Sequence, residues 1–301
     1  MQILLTGGTG LVGRALCRHF SQQGHSLIVL SRDPGKVAGL CSGARGIGKL
    51  DELNTTDPVD VVINLAGAPI ADRPWTKGRR KMLRESRIDL THNLVDWMSQ
   101  RDKPPAVLLS ASAVGWYGDR GEEQLDESSA APAADFASQL CQDWEAEVMR
   151  AAELGTRVAC LRLAPVLAAD GGMLARLLPV FRLGLGGRLG NGRQWMPWIH
   201  LDDLVRLFDH LLTNDSCQGV YNACSPMPVR NAEFTRTLAQ TVRRPAIFPA
   251  PAWLLRLMLG EMSTLLTGGQ HVMPKRTANS GFDWQYPELS AALQQLLHPP
   301  K

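Results

Sequence analysis

The stretch TGGTGLVG at 6–13 sets Gly7, Gly10 and Gly13 three residues apart, after an apolar run at 3–6 and before a segment whose Val12, Ala15, Leu16, His19 and Phe20 fall at helical spacing. A strand, a glycine turn and a helix in that order build a cradle for a pyrophosphate. Gly7 permits the tight turn, Gly10 lets backbone come close to the phosphates, and Gly13 lets helix and strand pack closely. The turn leaves the strand at Thr6. The first helical amides, around Leu11, Val12 and Gly13, have no partner inside the helix, so they and the helix dipole face an anion. A second apolar run, 27–30, ends in Ser31-Arg32, with Asp33 one step later. A nicotinamide dinucleotide without a 2′-phosphate asks for an acid at that tip, whereas a guanidinium pairs with a 2′-phosphate. Ser31 and Arg32 therefore favour NADP. The alternative leaves Arg32 in solvent and gives the ribose to Asp33.

These residues need a scaffold. Short, continuous apolar runs at 3–6, 27–30, 61–65, 107–110 and 158–163 read as buried parallel strands. Helical periodicity fills about 78–98 and about 136–154 between them. The alternation predicts an α/β fold with a doubly wound parallel sheet. We expect a dinucleotide-binding domain over 1–165. A smaller substrate lobe and C-terminal module are expected over 166–301, with 200–215 packing back on the first domain. In the second part, GLGGRLGNGRQWMPW at 184–198 carries Arg188, Arg193, Trp195 and Trp198. Cationic and aromatic side chains on a glycine-rich loop suit a planar or anionic ligand; the alternative is a plain surface loop. Asp202 is expected to cap the helix that starts near LVRLF, and His200 either lines the pocket or packs. Residues 220–301 read as short helices with a turn at 225–228, closing over the sheet's C-terminal edge.

Composition narrows the partners. The 301 residues are 45% hydrophobic and 20% charged, with a net charge of +3 and no basic block. Nucleic acid is not expected as a partner, and neither is a membrane surface. No run of about 18 apolar residues is present to cross a bilayer. The opening MQILLTGG reads as a strand, not a secretory leader. The six cysteines form no CxxC pair and no cluster with zinc spacing. They are expected to be free thiols in a cytoplasmic protein with no metal site.

The order of TGGTGLVG at 6–13, NLAG at 64–67 and SASAVGWYGD at 110–119 resembles the extended short-chain dehydrogenase/reductase family, which contains the nucleotide-sugar epimerases. The chain is most similar to the atypical epimerase family protein branch. That resemblance rests on 64–70, Trp75, 86–88 with Thr91, Leu94 and Val95, 136–145, 184–194 and 198–203, and on PKR at 274–276 and GF at 281–282 in a small C-terminal module. It implies a Rossmann-type sheet, bound NADP (NADPH), a small-molecule substrate, and a monomer or homodimer. It also implies that Leu65, Ala66 and Gly67 line the cofactor; the alternative is an ordinary strand-end turn. Ser112, with Ser110 as neighbour, would present a hydroxyl beside the nicotinamide; the alternative is a serine satisfied by backbone.

One part of the family pattern is missing. The wider family uses a tyrosine to move a proton and a lysine one turn later to lower its pKa and hold the ribose. The matching window, DFASQLC at 135–141, offers Phe136, Ser138, Gln139 and Leu140, and none of the three tyrosines has a lysine four residues on. Gln139 could still bond a ribose. Arg87 shares a helical stripe with Leu83, Leu90 and Leu94, which puts a cation on an inward face. It either reaches a substrate anion, a carbonyl or a cofactor phosphate, or pairs with an acid such as Glu145. Tyr117 is the other candidate proton donor, or else a pocket wall. Two functions follow. One is an NADP-binding oxidoreductase or epimerase-like enzyme, with Ser112, Arg87 and Tyr117 catalytic. The other is an NADP-binding sensor or interaction protein without turnover; some relatives of the branch carry a cell-division label.

Overall fold

The computed structural model describes residues 1–132 and 135–299. Seven parallel strands form its centre: β1 (Gln2–Thr6), β2 (Ser26–Leu30), β3 (Arg45–Ile47), β4 (Val61–Asn64), β5 (Val107–Ala113), β6 (Arg157–Leu163) and β7 (Gly219–Ala223). Their order is β7-β6-β5-β4-β1-β2-β3. The chain starts in the middle, runs out to β3, then returns past β1 to β4 and onward to β7. Between β1 and β4 the winding reverses, and in such sheets the crevice beyond the strand ends at that point receives ligands. Ile3, Leu4, Leu5, Val62, Ile63, Leu108 and Leu109 are all fully buried. Burial on both faces is why these strands read as unbroken apolar runs.

The longer helices are α1 (Leu11–Gln22), α2 (Lys77–Arg84), α3 (Leu90–Ser99), α4 (Phe136–Met149), α5 (Gly172–Arg182), α6 (Leu201–Thr213), α7 (Asn231–Thr241), α8 (Ala252–Leu259) and α9 (Leu289–Leu297). One face of the sheet is covered by α1 and α6, in a core that joins Ile3 and Leu5 to Phe20, Leu207 and Phe208. The other is covered by α3 and α4, through Leu94 and Trp144 on Leu4, Val62 and Leu108. A separate core of Leu178, Trp198, Phe234, Leu238 and Leu293 holds α5, α7 and α9 together as the smaller lobe.

The sequence reading needs three corrections here. Residues 219–223 are not helical: they add β7 to the sheet beside β6. The strand sits at the sheet edge and carries Tyr221 and Asn222, which masked its apolar signal. The edge strand β3, only three residues long with a glycine at its centre, was also missed. Lastly, α6 is not capped by Asp202. His200 holds the cap position and its Nδ1 accepts from the Asp202 amide at 3.1 Å, while Nε2 faces Gln295 Oε1 at 3.0 Å. Burial pulls the His200 pKa below its ordinary value, which keeps the ring neutral and Nδ1 able to accept.

Candidate cofactor and substrate cleft

The glycine turn lies at the reversal point of the sheet. Gly7 takes φ +68°, and a Cβ there would stand 2.8 Å from the Leu65 carbonyl on β4's exit. A Cβ on Gly13 would collide with the Gly7 oxygen, and one on Gly8 would lie 2.7 Å from Val29 Cγ1. The turn is thus folded against both flanking strands with no room for a side chain at Gly7, Gly8 or Gly13. Gly8 carries as much of that packing as its neighbours, a role the three-residue spacing does not reveal. Helix α1 starts at Gly10 with no side-chain cap on its first amides. Those amides, at Leu11, Val12 and Gly13, are free to hold phosphate oxygens, so the turn fits a dinucleotide pyrophosphate. The Leu11 side chain itself turns the other way, onto the backbone at Gly171.

At the tip of β2 the acid is already engaged. Asp33 sits 2.6 Å from Lys36, and its amide donates to Ser31 Oγ at 3.2 Å. Arg32 is exposed and makes no ion pair among the described residues.

Below the turn lies a closed hydrogen-bond hub. Thr6 Oγ1 donates to Asn64 Oδ1 at 2.6 Å and accepts from the amides of Leu65 and Ala66, each at 3.1 Å. Asn64 Nδ2 donates to Thr91 Oγ1 at 2.9 Å and Ser110 Oγ at 3.2 Å, and Trp144 Nε1 donates to the same Thr91 oxygen. One asparagine ties β1, β4, β5, α3 and α4 together, with every polar atom paired. Thr6 is buried and acts here by fixing the Leu65–Ala66–Gly67 exit from beneath.

The serine expected at the nicotinamide end belongs to a second buried network. Ser112 Oγ donates to Glu145 Oε1 at 2.6 Å; Glu145 also takes a two-pronged contact from Arg162 Nε and Nη2, both at 2.9 Å. Arg162 Nη1 donates to the Tyr117 oxygen at 2.9 Å, and Tyr117 donates to Asn222 Oδ1 at 2.8 Å. All five side chains are buried. Burial, only partly opposed by Arg162 and Asn222, pushes the Tyr117 pKa up to about 12. A phenol held neutral, enclosed and already donating has no proton to offer a ligand, so Tyr117 is corrected from proton donor to structural link. The Glu145–Arg162 pair is the feature that sequence reasoning missed. Its signal was an arginine inside the apolar run RVACLRL of β6.

The window that lacks tyrosine and lysine is filled with hydrocarbon. Leu140 lies in an apolar cluster with Trp75, Leu83, Ala137 and Met262, and Phe136 packs against it. The Trp75 and Phe136 rings meet edge to face at 5.1 Å. Gln139 does not point at a ribose site: it is exposed, and its Nε2 donates to Asp143 Oδ1 at 2.7 Å.

Arg87 stands beside this cluster. The helix from α2 to α3 is interrupted at Glu85–Asp89 by one π turn, and Arg87 is its centre. Such turns re-aim side chains and recur at functional sites. Nη2 donates to the Ala68 carbonyl at 3.0 Å, with longer contacts of 3.4 Å from Nη1 to Leu83 O and Ser86 Oγ. No carboxylate pairs with it among the described residues; Glu145, the expected partner, is held by Arg162. Burial draws the Arg87 pKa down to about 10. The guanidinium lies flat on Gly67, where a Cβ would come within 2.9 Å of Cζ. A part-buried cation with no carboxylate partner, its guanidinium 5.4 Å from the centre of the Trp144 ring, therefore borders the strand exit that the hub beneath it fixes.

The 184–198 loop divides. Trp198 is a core residue whose Nε1 donates to Met227 O at 3.2 Å, and Arg188 lines a separate outer cavity. Trp195 stacks on His271 at 3.9 Å and donates to Glu122 at 3.0 Å, and Arg230 closes the group through two bonds to Glu122.

A phosphate turn at the reversal of a parallel sheet, with a second lobe beyond it, defines a Rossmann-type protein of the short-chain dehydrogenase/reductase kind. The chain belongs to the NAD dependent epimerase/dehydratase family: residues 3–224 match it, and residues 250–296 match DUF1731, a domain of unknown function. It is 37% identical over 304 residues to the Arabidopsis thaliana epimerase family protein SDR39U1 homolog, chloroplastic, with 99% of this chain and 87% of that protein covered. It is 36% identical over 300 residues to mouse (Mus musculus) epimerase family protein SDR39U1, covering 99% of this chain and all of that one. The crystal structure of human epimerase family protein SDR39U1 (isoform2) with NADPH superposes with a TM-score of 0.89 at 34% identity, over 98% of this chain and 99% of the other.

Proposed function

We propose that the protein is an NADP(H)-dependent oxidoreductase of epimerase-like build, acting on a small substrate that carries an anionic group. The observation behind this reading is Arg87, a part-buried cation with no carboxylate partner among the described residues, lying against Gly67 at the exit of β4. A charge drawn partly out of water without an opposite charge is costly, and a ligand anion would offset that cost. The human relative crystallised with NADPH supports the cofactor. So does the tip of β2, where Lys36 occupies Asp33 and leaves Arg32 for a 2′-phosphate.

The bound nicotinamide supplies or accepts hydride. The α1 amides hold the pyrophosphate, and the Leu65–Ala66–Gly67 exit, fixed by Asn64 and Thr6, forms the wall beside the ribose. Arg87 orients the substrate's anionic group or steadies the negative charge that develops on a carbonyl oxygen. Ser112 donates its hydrogen bond to Glu145 and so belongs to the buried network rather than to the cleft. With Phe136 and Leu140 in the usual acid–base positions, the proton comes from water at the open side of the cleft. The test follows NADPH absorbance with carbonyl compounds that bear a carboxylate or phosphate. Oxidation that falls at least about a hundredfold in Arg87→Met, with NADPH affinity retained, supports the reading.

The apolar packing of Phe136 and Leu140 favours one second reading: an NADPH-binding protein without turnover. Tight NADPH binding with no oxidation by any compound in that panel would select it.

A further inference from the structure

Several large exposed apolar side chains lie in one part of the smaller lobe. Leu183 and Leu185 follow α5, Ile247 and Phe248 precede α8, and Trp253 and Leu257 lie on α8 itself; they are between 53% and 77% exposed. The two segments are fastened side by side. The Phe248 amide donates to Gly186 O at 3.1 Å, Ala250 N to Arg188 O at 2.9 Å, and Gly190 N to Ala250 O at 2.8 Å. Helix α8 reads AWLLRLML, yet no residue in it is fully buried. Water-facing Trp and Phe at this density mark an interaction surface.

Beside these side chains opens a cavity of about 690 Å³ lined by Arg188, Arg236, Arg243 and Arg244, with Ile247 at its rim. All four arginines are exposed, and none pairs with a carboxylate among the described residues. Arg243 also holds an awkward backbone. It has φ +55° just past the end of α7, where its amide returns to Gln240 O and the Arg244 amide to Ala239 O, both at 3.0 Å. Glycine takes that conformation freely, while any other residue pays in strain. An arginine in a conformation that costs it strain points to a use for its charge.

We propose that this face docks on an anionic lipid bilayer, with the four arginines on headgroup phosphates and Phe248, Trp253 and Leu257 at the headgroup–acyl boundary. Exposed arginines beside protruding aromatic and aliphatic side chains match that boundary in both charge and polarity. A second copy of the chain fits less well, because a two-fold contact through this face sets four arginines against four. The linear sequence shows no basic block because Arg188 and 236–244 meet only in the fold. The inference is independent of the cofactor reading.

The test is sedimentation of the full chain with vesicles of phosphatidylcholine alone and of phosphatidylcholine mixed with phosphatidylglycerol. The protein should pellet with the mixed vesicles at low salt, stay in solution with phosphatidylcholine alone, and be released by salt. Arg243→Glu with Arg244→Glu should weaken the partition by more than about tenfold. Arg243→Gly should weaken it less while raising thermal stability, a split that a purely structural role for Arg243 would not give. Trp253→Ser with Leu257→Ser should also weaken it while leaving NADPH binding unchanged. Four results would overturn the proposal: no pelleting, equal pelleting with neutral vesicles, binding of inorganic phosphate or a polyglutamate peptide without vesicle binding, or a dimer that Trp253→Ser breaks while vesicles are ignored.

Discussion

The two ends of the cleft are built differently. At the pyrophosphate end the glycine turn is fitted to its strands, and the Thr6–Asn64–Thr91 hub beneath it leaves no polar atom unpaired. At the far end the usual proton-transfer pair is replaced by Phe136 and Leu140 in hydrocarbon, and a cation, Arg87, is left without a carboxylate. The first end is closed by its own hydrogen bonds, while the second leaves a cation beside hydrocarbon. The chain thus has the cofactor turn of its family together with a different setting for whatever meets the cofactor.

The comparison can be broken by substitution. The largest expected effect is at Glu145, whose loss strands Arg162 in the interior and frees Ser112. Glu145→Ala should lose about 3–5 kcal/mol in urea unfolding, and NADPH affinity of the folded fraction should stay unchanged because the pyrophosphate end is separate. A matching fall in NADPH affinity would show the two ends to be one unit.

Arg87→Met should move stability the other way. It removes a part-buried cation whose pKa has been drawn down to about 10, so the folded state should gain about 1 kcal/mol while substrate turnover is lost. Loss of stability instead would mean that the contact to Ala68 O matters more than the desolvation, and Arg87 would be a structural residue.

The smallest effect is at His200, remote from both ends. Burial lowers its pKa from 6.5, so the unfolded chain takes up the proton first. Its contribution is therefore whole above pH 6.5 and declines as pH falls below that value. In His200→Asn, which keeps a side-chain cap, the slope of stability against pH in that acid range should flatten. An unchanged slope assigns the acid loss to other groups.

What the sequence made legible follows the same divide. The phosphate turn, the strand runs of the sheet and the missing tyrosine and lysine depend on local spacing, and each could be read from a few consecutive residues. The features it hid depend on contacts between distant segments. Glu145 was a candidate partner for Arg87, but the fold brings Arg162 from β6 to it first. Gln139 sits one position from the buried side of α4, and the helix turns it to Asp143. Ser112 and Tyr117 carry the right chemical groups, yet both meet inside the protein, through Arg162 and Glu145. The edge strand β7 and the four-arginine cavity likewise appear only once the chain has returned on itself.

The most direct test of the retained cofactor end is a fluorescence titration of the protein, and of Arg32→Ala, with NADPH and with NADH. The arrangement at β2, with Asp33 held by Lys36 and Arg32 free, predicts that NADPH binds at least about tenfold more tightly than NADH, and that Arg32→Ala removes the difference by weakening NADPH alone. Equal affinity for the two, or no affinity for either, would contradict it.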